Sequence, residues 1–261
     1  VPLGALGLSM MTSLIPGAWR ASLGEPIAGV SALTAPAALL MLPVLAGAGL
    51  IYPWAHQHQS TAFRRAWLDP LSFGVRGVLL LVFFGGLAVL VRRRKSTAIP
   101  VAGLIAYTLA TTVAAVDWLL SLDPAFASSG FGLYVLCLQM LSALAVSAIL
   151  GARRRPPAPV DAVGAVLLCG LLLWTYFAFM QYFIVWSGNL PPGVAWYQRR
   201  GDGLWSVLIW TAAGLRLLPA LLLLFARFRT SRRALSAMSA AILAGSVLEI
   251  AWLALPGSDA A

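Results

Sequence analysis

Long apolar runs separated by short polar connections fill the chain. Runs at 28–52, 73–91, 99–121, 130–151, 162–187, 204–226 and 234–255 each reach the roughly 20 residues a helix needs to cross a bilayer. An eighth run, 2–19, is shorter and contains Pro16. The connections are short, so neighbouring helices are expected to run antiparallel as hairpins. No internal repeat, low-complexity tract or long linker interrupts the pattern. The pattern predicts one integral membrane domain over 1–261, an all-α polytopic helical bundle. It has about eight spans, or seven if 2–19 does not cross.

Composition sharpens this. Hydrophobic residues make up 61% of the chain and charged residues only 10%, and the mean hydropathy is +0.89. A soluble domain carries about 25% charged residues and could not bury so much apolar surface in one core. A soluble enzyme, a disordered chain and a disulfide-rich secreted module are thereby excluded. The net charge of +10 does not point to nucleic acid, because the cations cluster between apolar runs as topology signals do. Twelve lie in alternate connections: Arg20; Arg92, Arg93, Arg94 and Lys95; Arg153, Arg154 and Arg155; Arg227, Arg229, Arg232 and Arg233. The opposite connections hold four: Arg64, Arg65, Arg199 and Arg200. The positive-inside rule puts the first set in the cytoplasm. The larger loops and the C-terminus are then periplasmic, and so is the N-terminus if 2–19 spans. The first 19 residues lack a basic n-region and an A-x-A site, so no cleavable signal peptide is expected. Val1 suggests a trimmed chain or a start codon read as valine.

The outer connections 53–72, 122–129 and 188–203 are rich in Trp, Pro, Asp and Gly. Trp54, Trp67, Trp186, Trp196 and Trp205 near that boundary match an interfacial aromatic belt. A belt does not require Asp123-Pro124 or Ser187-Gly188-Asn189-Leu190-Pro191-Pro192, which suggest fixed loops docked against something. Trp186, Asn189, Trp196 and Tyr197 are the candidate docking residues.

Four ionisable residues fall inside or just within the spans, where each costs roughly 2.5–3.5 kcal/mol at a helix centre: Arg76, Asp117, Arg216 and Glu249. Arg76 and Asp117 sit at similar depth in one hairpin, so they form either an ion pair or an outer proton- or quinone-linked site. Tyr107, Thr111, Asp117 and Ser121 recur on roughly one helix flank, giving a candidate proton wire that Asp123 extends outward, or else a polar interhelical seam. Reflection about the 227–233 connection places Arg216 opposite residue 244, loosely matched to Glu249. That pair is either charge-neutralising or built around a carboxylate that exchanges a proton.

Cys137 and Cys169 lie far apart inside apolar runs. With no CxxC, CxxCH or Cys/His cluster, this chain is expected to carry no haem, iron–sulfur or zinc site. His56-Gln57-His58 has no third ligand nearby, so no metal site is expected. There is no GxGxxG, phosphate loop or Ser/His/Asp set, and nucleotide chemistry and hydrolysis have no support.

Two strings are more specific. One is Thr111-Thr112-Val113-Ala114-Ala115-Val116-Asp117-Trp118-Leu119-Leu120-Ser121-Leu122-Asp123-Pro124, with Phe131-Gly132-Leu133-Tyr134 and Gln139 following. The other runs from Leu173-Trp174-Thr175-Tyr176-Phe177 through Gln181 and Trp186-Ser187-Gly188-Asn189-Leu190-Pro191 to Trp196-Tyr197. In this order they resemble the T-x-x-x-x-D-W-x-x-S-L-[DE]-P and W-x-Y-F-x-F-x-Q-x-x-x-[IV]-W-S-G-N-L-P strings of the ActF membrane subunit of alternative complex III, an NrfD/PsrC-related family. The resemblance covers roughly residues 50–256. Where that family often has His-Trp after the acidic-Pro pair, this chain has Ala125-Phe126, and it is shorter than usual members at the N-terminus.

The resemblance implies a respiratory quinol:electron acceptor oxidoreductase in a bacterial inner membrane. Its partners would be an ActC-like NrfD-type subunit, periplasmic multihaem cytochrome c and iron–sulfur subunits, and membrane lipid, with a terminal oxidase as a further candidate. Haem c and iron–sulfur clusters would reside in those partners and quinone nearby, with no cofactor on this chain. The subunit would scaffold the complex and offer a proton path. Two alternatives remain. In one, the subunit itself binds quinol, in an aromatic slot near Trp174, Tyr182 and Trp186 with an Asp acceptor. The other is an independent transporter, for which the repeats and broken helices such proteins show are not visible in the sequence.

Overall fold

The computed structural model describes residues 1–56, 61–93, 96–153 and 160–256. Among them the regular structure is all helical. In chain order the helices are α1 (Pro2–Leu14), α2 (Ala18–Ser31), α3 (Thr34–Leu39), α4 (Leu42–Ala46), α5 (Ala48–Ile51), α6 (Ala62–Trp67) and α7 (Pro70–Arg93). They continue as α8 (Ala98–Trp118), α9 (Phe131–Ala152), α10 (Asp161–Gly188), α11 (Pro191–Gly201), α12 (Gly203–Leu222), α13 (Ala226–Arg229) and α14 (Arg232–Ala254). Seven stretches among the described residues are long and apolar enough to cross a membrane: Ala18–Ala46, α7, Ala98–Leu122, α9, α10, α12 and α14. The chain is a multi-pass membrane protein with an all-α fold.

The N-terminal third departs from the expected runs. Helix α1 has 13 residues, about 20 Å at 1.5 Å per residue, short of a core of about 30 Å. It stops where Ile15 turns extended, just before Pro16. Its Ala5, Leu6 and Met10 are nonetheless completely buried. A Cβ on Gly4 would collide with the Gln139 backbone, and one on Gly7 would press 2.8 Å from the Tyr107 ring. The missing side chains let α1 sink between α8 and α9.

The expected continuous helix over 28–52 begins instead at Ala18 and breaks into α2, α3, α4 and α5. Pro43 sits in the first turn of α4, where its missing N–H costs nothing, and Gly47 separates α4 from α5. A broken helix is therefore present that the apolar run concealed.

Two connections expected as loops contain helices. Helix α6 lies within 53–72, and its N-cap Thr61 Oγ1 accepts from the Arg64 N–H at 3.2 Å. Helix α11 occupies most of 188–203. Asn189 ends α10 in the left-handed region at φ 43°, and Pro191 opens α11 with its fixed φ. The Ser-Gly-Asn-Leu-Pro string is thus a helix stop followed by a helix start.

Helix α9 is the central post: 56% of its apolar window is buried, against 22% for that of α12. Its Ala143, Ala145, Ser147 and Ala148 are buried, and small residues let neighbouring backbones approach. At Gly132 a Cβ would stand 2.8 Å from the Thr112 Cα, fixing the α8–α9 contact. At Gly245 a Cβ would stand 2.9 Å from the Ala212 carbonyl oxygen, fixing α14 against α12. Leu79 and Val82 of α7, Leu109 of α8 and Leu218 of α12 point outward and are exposed, an apolar surface suited to lipid.

Candidate functional site

Two carboxylates within membrane spans, Asp117 and Glu249, are each 1% exposed. Both carry an arginine partner, but their surroundings differ.

Asp117 is near the end of α8, and two residues hold its carboxylate through three hydrogen bonds. The Arg76 Nε donates to its Oδ2 at 2.8 Å and the Arg76 Nη2 to its Oδ1 at 3.3 Å. The Trp67 Nε1 donates to Oδ1 at 2.9 Å. Arg76 Nη2 also donates to the Trp67 carbonyl at 2.7 Å, with the guanidinium 4.2 Å from the centroid of that indole. This is a forked, charge-assisted clamp tying α6, α7 and α8 together. Beside it, the Tyr52 hydroxyl donates to the Trp118 carbonyl at 3.1 Å. Burial and then the Asp117 charge push the Tyr52 phenol above its ordinary range.

The other residues of the expected wire do not join Asp117 in a chain. Ser121 donates to the main-chain carbonyl of Asp117, not to its carboxylate. Tyr107 donates to the Leu3 carbonyl and accepts from Gln139 Nε2, both at 2.9 Å. Thr111 is buried one turn from Tyr107. Asp123 turns away to Arg199, which donates to it, with the Arg200 Nη1 at 3.8 Å.

Glu249, on α14, sits in a different cluster. Arg216 of α12 and Tyr134 of α9 both donate to its carboxylate. Trp174 Nε1 of α10 points at both carboxylate oxygens from 3.2 Å. The Arg216 guanidinium lies 4.3 Å from the centroid of the Trp174 ring and is completely buried. Four helices therefore meet at one carboxylate. The loose register expected for Arg216 is bridged by the length of its side chain and by the close α12–α14 approach at Gly245.

A cavity of about 530 Å³ opens beside this cluster, with Glu249, Tyr134 and Trp174 in its wall. Aromatic rings make up about half of its other walls. Phe126 stacks on Trp196 at 4.5 Å between centroids, and Trp252 meets Trp196 edge-on at 5.2 Å. The Arg200 guanidinium lies 4.1 Å from the Trp196 centroid, and Trp252 Nε1 donates to the Arg200 carbonyl at 3.0 Å. Arg200 is 1% exposed, and its Nε and Nη1 have no hydrogen-bond partner among the described residues. Burial lowers its guanidinium to about 10, against the raising effect of Asp123, so it stays charged at neutral pH. Tyr197 is pushed upward by burial and by Tyr182. Gln181, also lining the cavity, accepts from the Ser128 hydroxyl at 2.6 Å.

Several expected site residues are re-placed by this geometry. Trp196 is 5% exposed, so it is a wall of the cavity and not an outward docking anchor, because Phe126 and Trp252 cover it. Tyr197 packs edge-on against Trp196 at 4.9 Å. Trp186 is 65% exposed and Asn189 serves the turn. Trp174 and Tyr182 of the expected aromatic slot line the cavity whereas Trp186 does not, and its carboxylate is Glu249, not an aspartate. Sequence reasoning missed Tyr134, Gln181 and Arg200 as site residues. The available signals were Tyr134 after the first motif and Gln181 within the second.

No group of three or more His, Cys, Asp or Glu residues able to hold a metal is found among the described residues. His56 Nε2 lies 2.7 Å from the Gly49 carbonyl oxygen, and His58 lies outside the described residues, as do Arg94, Lys95, Arg154 and Arg155. Cys137 and Cys169 are free thiols. No protein-family model matches the chain, and no curated protein matches it.

Proposed function

We propose that this chain is a cofactor-free integral subunit of a bacterial quinol:electron acceptor oxidoreductase of the alternative complex III type. In this reading it scaffolds the assembly and handles protons at Glu249. The observation that carries the proton role is the Glu249 cluster: a buried carboxylate with a phenol, an indole N–H and a guanidinium around it, in the wall of a cavity. A carboxylate in hydrocarbon costs several kcal/mol unless it is paired or used. Asp117 is paired so fully that a structural role accounts for it. Glu249 is paired too, but its cavity side gives it a route to a mobile partner.

The two motifs support assignment to the complex. The cation distribution supports an inner-membrane orientation with the arginine-rich ends cytoplasmic and the tryptophan-rich end periplasmic. On that end an ActC-like NrfD-type subunit and periplasmic haem c and iron–sulfur subunits would be the neighbours. Exposed Trp186 and the outer faces of α6 and α11 are the surfaces offered to them.

An affinity-tagged chain purified from its native membrane tests this. Co-migration on a native gel with haem-bearing subunits and quinol-oxidising activity is expected, and Glu249→Gln should leave the assembly intact while slowing turnover or uncoupling it from proton movement. A chain that migrates alone, without haem-bearing partners, refutes the assignment. An assembled Glu249→Gln complex with full turnover and coupling refutes the proton role.

A further inference from the structure

Helix α11 hangs between two joints. Among the described residues only Asn189, at φ 43°, and Gly203, at φ 56°, lie in the left-handed region, and they stand at its two ends. The chain reads Gly188-Asn189 on one side and Gly201-Asp202-Gly203 on the other. A side chain on Gly201 would meet open space, so no neighbour crowds that joint and glycine leaves its backbone free to turn. Between the joints, Trp196, Tyr197, Arg200 and Gly201 form the wall of the cavity at the end where α11 links α10 to α12.

The connection after α8 holds this helix down. Arg199 donates to Asp123, and the Arg200 Nη1 stands 3.8 Å from the same carboxylate. Phe126 stacks on Trp196 at 4.5 Å. From α14, Trp252 Nε1 donates to the Arg200 carbonyl. The Arg199–Asp123 pair is open to water, with Arg199 49% exposed, and an exposed pair is weak. One feature opposes closure. Arg200 is 1% exposed, and its Nε and Nη1 have no hydrogen-bond partner among the described residues. A charged donor buried without a partner carries its full desolvation cost. Its cation–π contact with Trp196 lies within α11 and travels with the helix. Lifting α11 therefore hydrates Arg200 without losing that contact.

We propose that α11 is a hinged lid. Latched by Asp123, it closes the cavity beside Glu249; swinging at Asn189 and Gly203, it admits water from the end of the bundle that carries the 122–129 connection. The closed form is the ground state, and the unpaired guanidinium of Arg200 lowers the cost of leaving it. The lid goes beyond the function given above and depends on neither the assembly nor the proton role.

The test uses the tagged protein in lipid nanodiscs, in the assembly it purifies with, and a charged thiol reagent that hydrocarbon excludes. Cys137 and Cys169 are first replaced by alanine. Leu253→Cys then puts a reporter thiol in the cavity wall, where Leu253 is 3% exposed. Ala178→Cys, on another wall of the cavity, is the reporter if Leu253→Cys does not fold. The reporter should label slowly, and Asp123→Asn should raise the rate about three- to five-fold, the scale of one exposed ion pair. Arg200→Met keeps the bulk and removes the unpaired donors, so it should slow labelling at least about three-fold. General damage to the fold would speed labelling in both variants. Leu235→Cys, buried near the other end of α14, should label at the same rate in all three backgrounds. A rate that Asp123→Asn leaves unchanged, or that Arg200→Met raises, overturns the lid, and so does an equal rise at Leu235→Cys. Because the readout is labelling and not turnover, the lid stands if the chain purifies without haem-bearing partners, and a rigid α11 leaves the assignment to the complex standing.

Discussion

Removing Arg216 tests whether the Glu249 cluster is energetically one unit. In Arg216→Leu the carboxylate keeps only two neutral donors, the Tyr134 hydroxyl and the Trp174 indole N–H. Both original partners are buried, at 0% and 1% exposure, and water entering from the cavity beside Glu249 would not replace the positive charge. Breaking a buried pair by deleting one partner costs about 3–5 kcal/mol. The lost cation–π contact with Trp174, at 4.3 Å, adds roughly 1 kcal/mol. Since a folded protein is stable by only about 5–15 kcal/mol, the variant should lose a large share of its stability. The double variant Arg216→Leu with Glu249→Gln should recover most of it. It removes both charges, and it also removes Arg216 Nε and Nη2, which have no hydrogen-bond partner among the described residues and so carry an uncompensated desolvation cost.

The assay is the fraction of protein eluting as a single species after a heat series in detergent, followed by a fluorescent tag. The expected order of midpoints is wild type, then the double variant close behind, then each single variant well below. A coupling of at least about 2 kcal/mol is expected for groups in direct contact. Single variants as stable as wild type, or a double variant as poor as the sum of the two, would show that Arg216 and Glu249 act independently and that the cluster does not hold α12 to α14.

Four further outcomes are expected. Gly245→Leu should destabilise strongly, because its Cβ would already stand 2.9 Å from the Ala212 carbonyl, whereas Gly214→Ala, with open space around it, should be neutral or gain up to about 1 kcal/mol; equal melting of the two refutes the close-crossing geometry. Asn189→Ala should cost roughly 1 kcal/mol in heat stability, because a Cβ without a local hydrogen-bonding group disfavours the left-handed region, and Asn189→Gly should not; a harmless alanine would mean that the turn relaxes. A lone cysteine at Ser96, with Cys137 and Cys169 replaced, should resist a membrane-impermeant maleimide added from the periplasmic side; ready labelling reverses the orientation. Asp117→Asn should lower assembly by leaving Arg76 without its counter-charge, and adding Arg76→Gln should restore it; a double variant that assembles but has lost proton coupling would return Asp117 to the proton path.

The spans were legible because bilayer thickness sets the run length whatever the packing. Six of the seven expected runs coincide with helices to within a few residues: 162–187, for example, is Asp161–Gly188. The first two runs were not legible in the same way. Hydropathy does not distinguish a helix that crosses from one that is buried inside the bundle, and α1 is apolar because α8 and α9 enclose it. Nor does it register the breaks after Ser31 and at Gly47, since the residues on either side remain apolar. The Arg76–Asp117 contact followed from depth within one hairpin. Arg200 was hidden because a cation in an outer connection looks solvated in sequence. Its burial depends on α11 folding back over α14, which the Asn189 turn and the Trp196–Trp252 contact bring about only in three dimensions.

Asp117 and Glu249 carry the same charge at the same exposure, yet one reads as a fastener and the other as a working group. The difference lies in what surrounds each pair. Asp117 has both oxygens engaged by a forked guanidinium and an indole N–H, and its arginine is also tied to the Trp67 carbonyl. A proton added there would break several charge-assisted bonds together. Around Glu249 the donors come from three separate helices, two guanidinium nitrogens of Arg216 lack a hydrogen-bond partner among the described residues, and one side opens on a cavity. A protonated Glu249 could still hydrogen-bond as donor or acceptor, so the cluster tolerates a change of charge that the Asp117 clamp does not. Proton exchange at this subunit should therefore be sensitive to Tyr134→Phe, which removes the phenol beside Glu249, and insensitive to Tyr107→Phe, whose hydroxyl serves Leu3 and Gln139. Proton-coupled turnover measured in vesicles decides it: equal losses in both variants would place the path along α8, and a loss confined to Tyr134→Phe places it at the cavity.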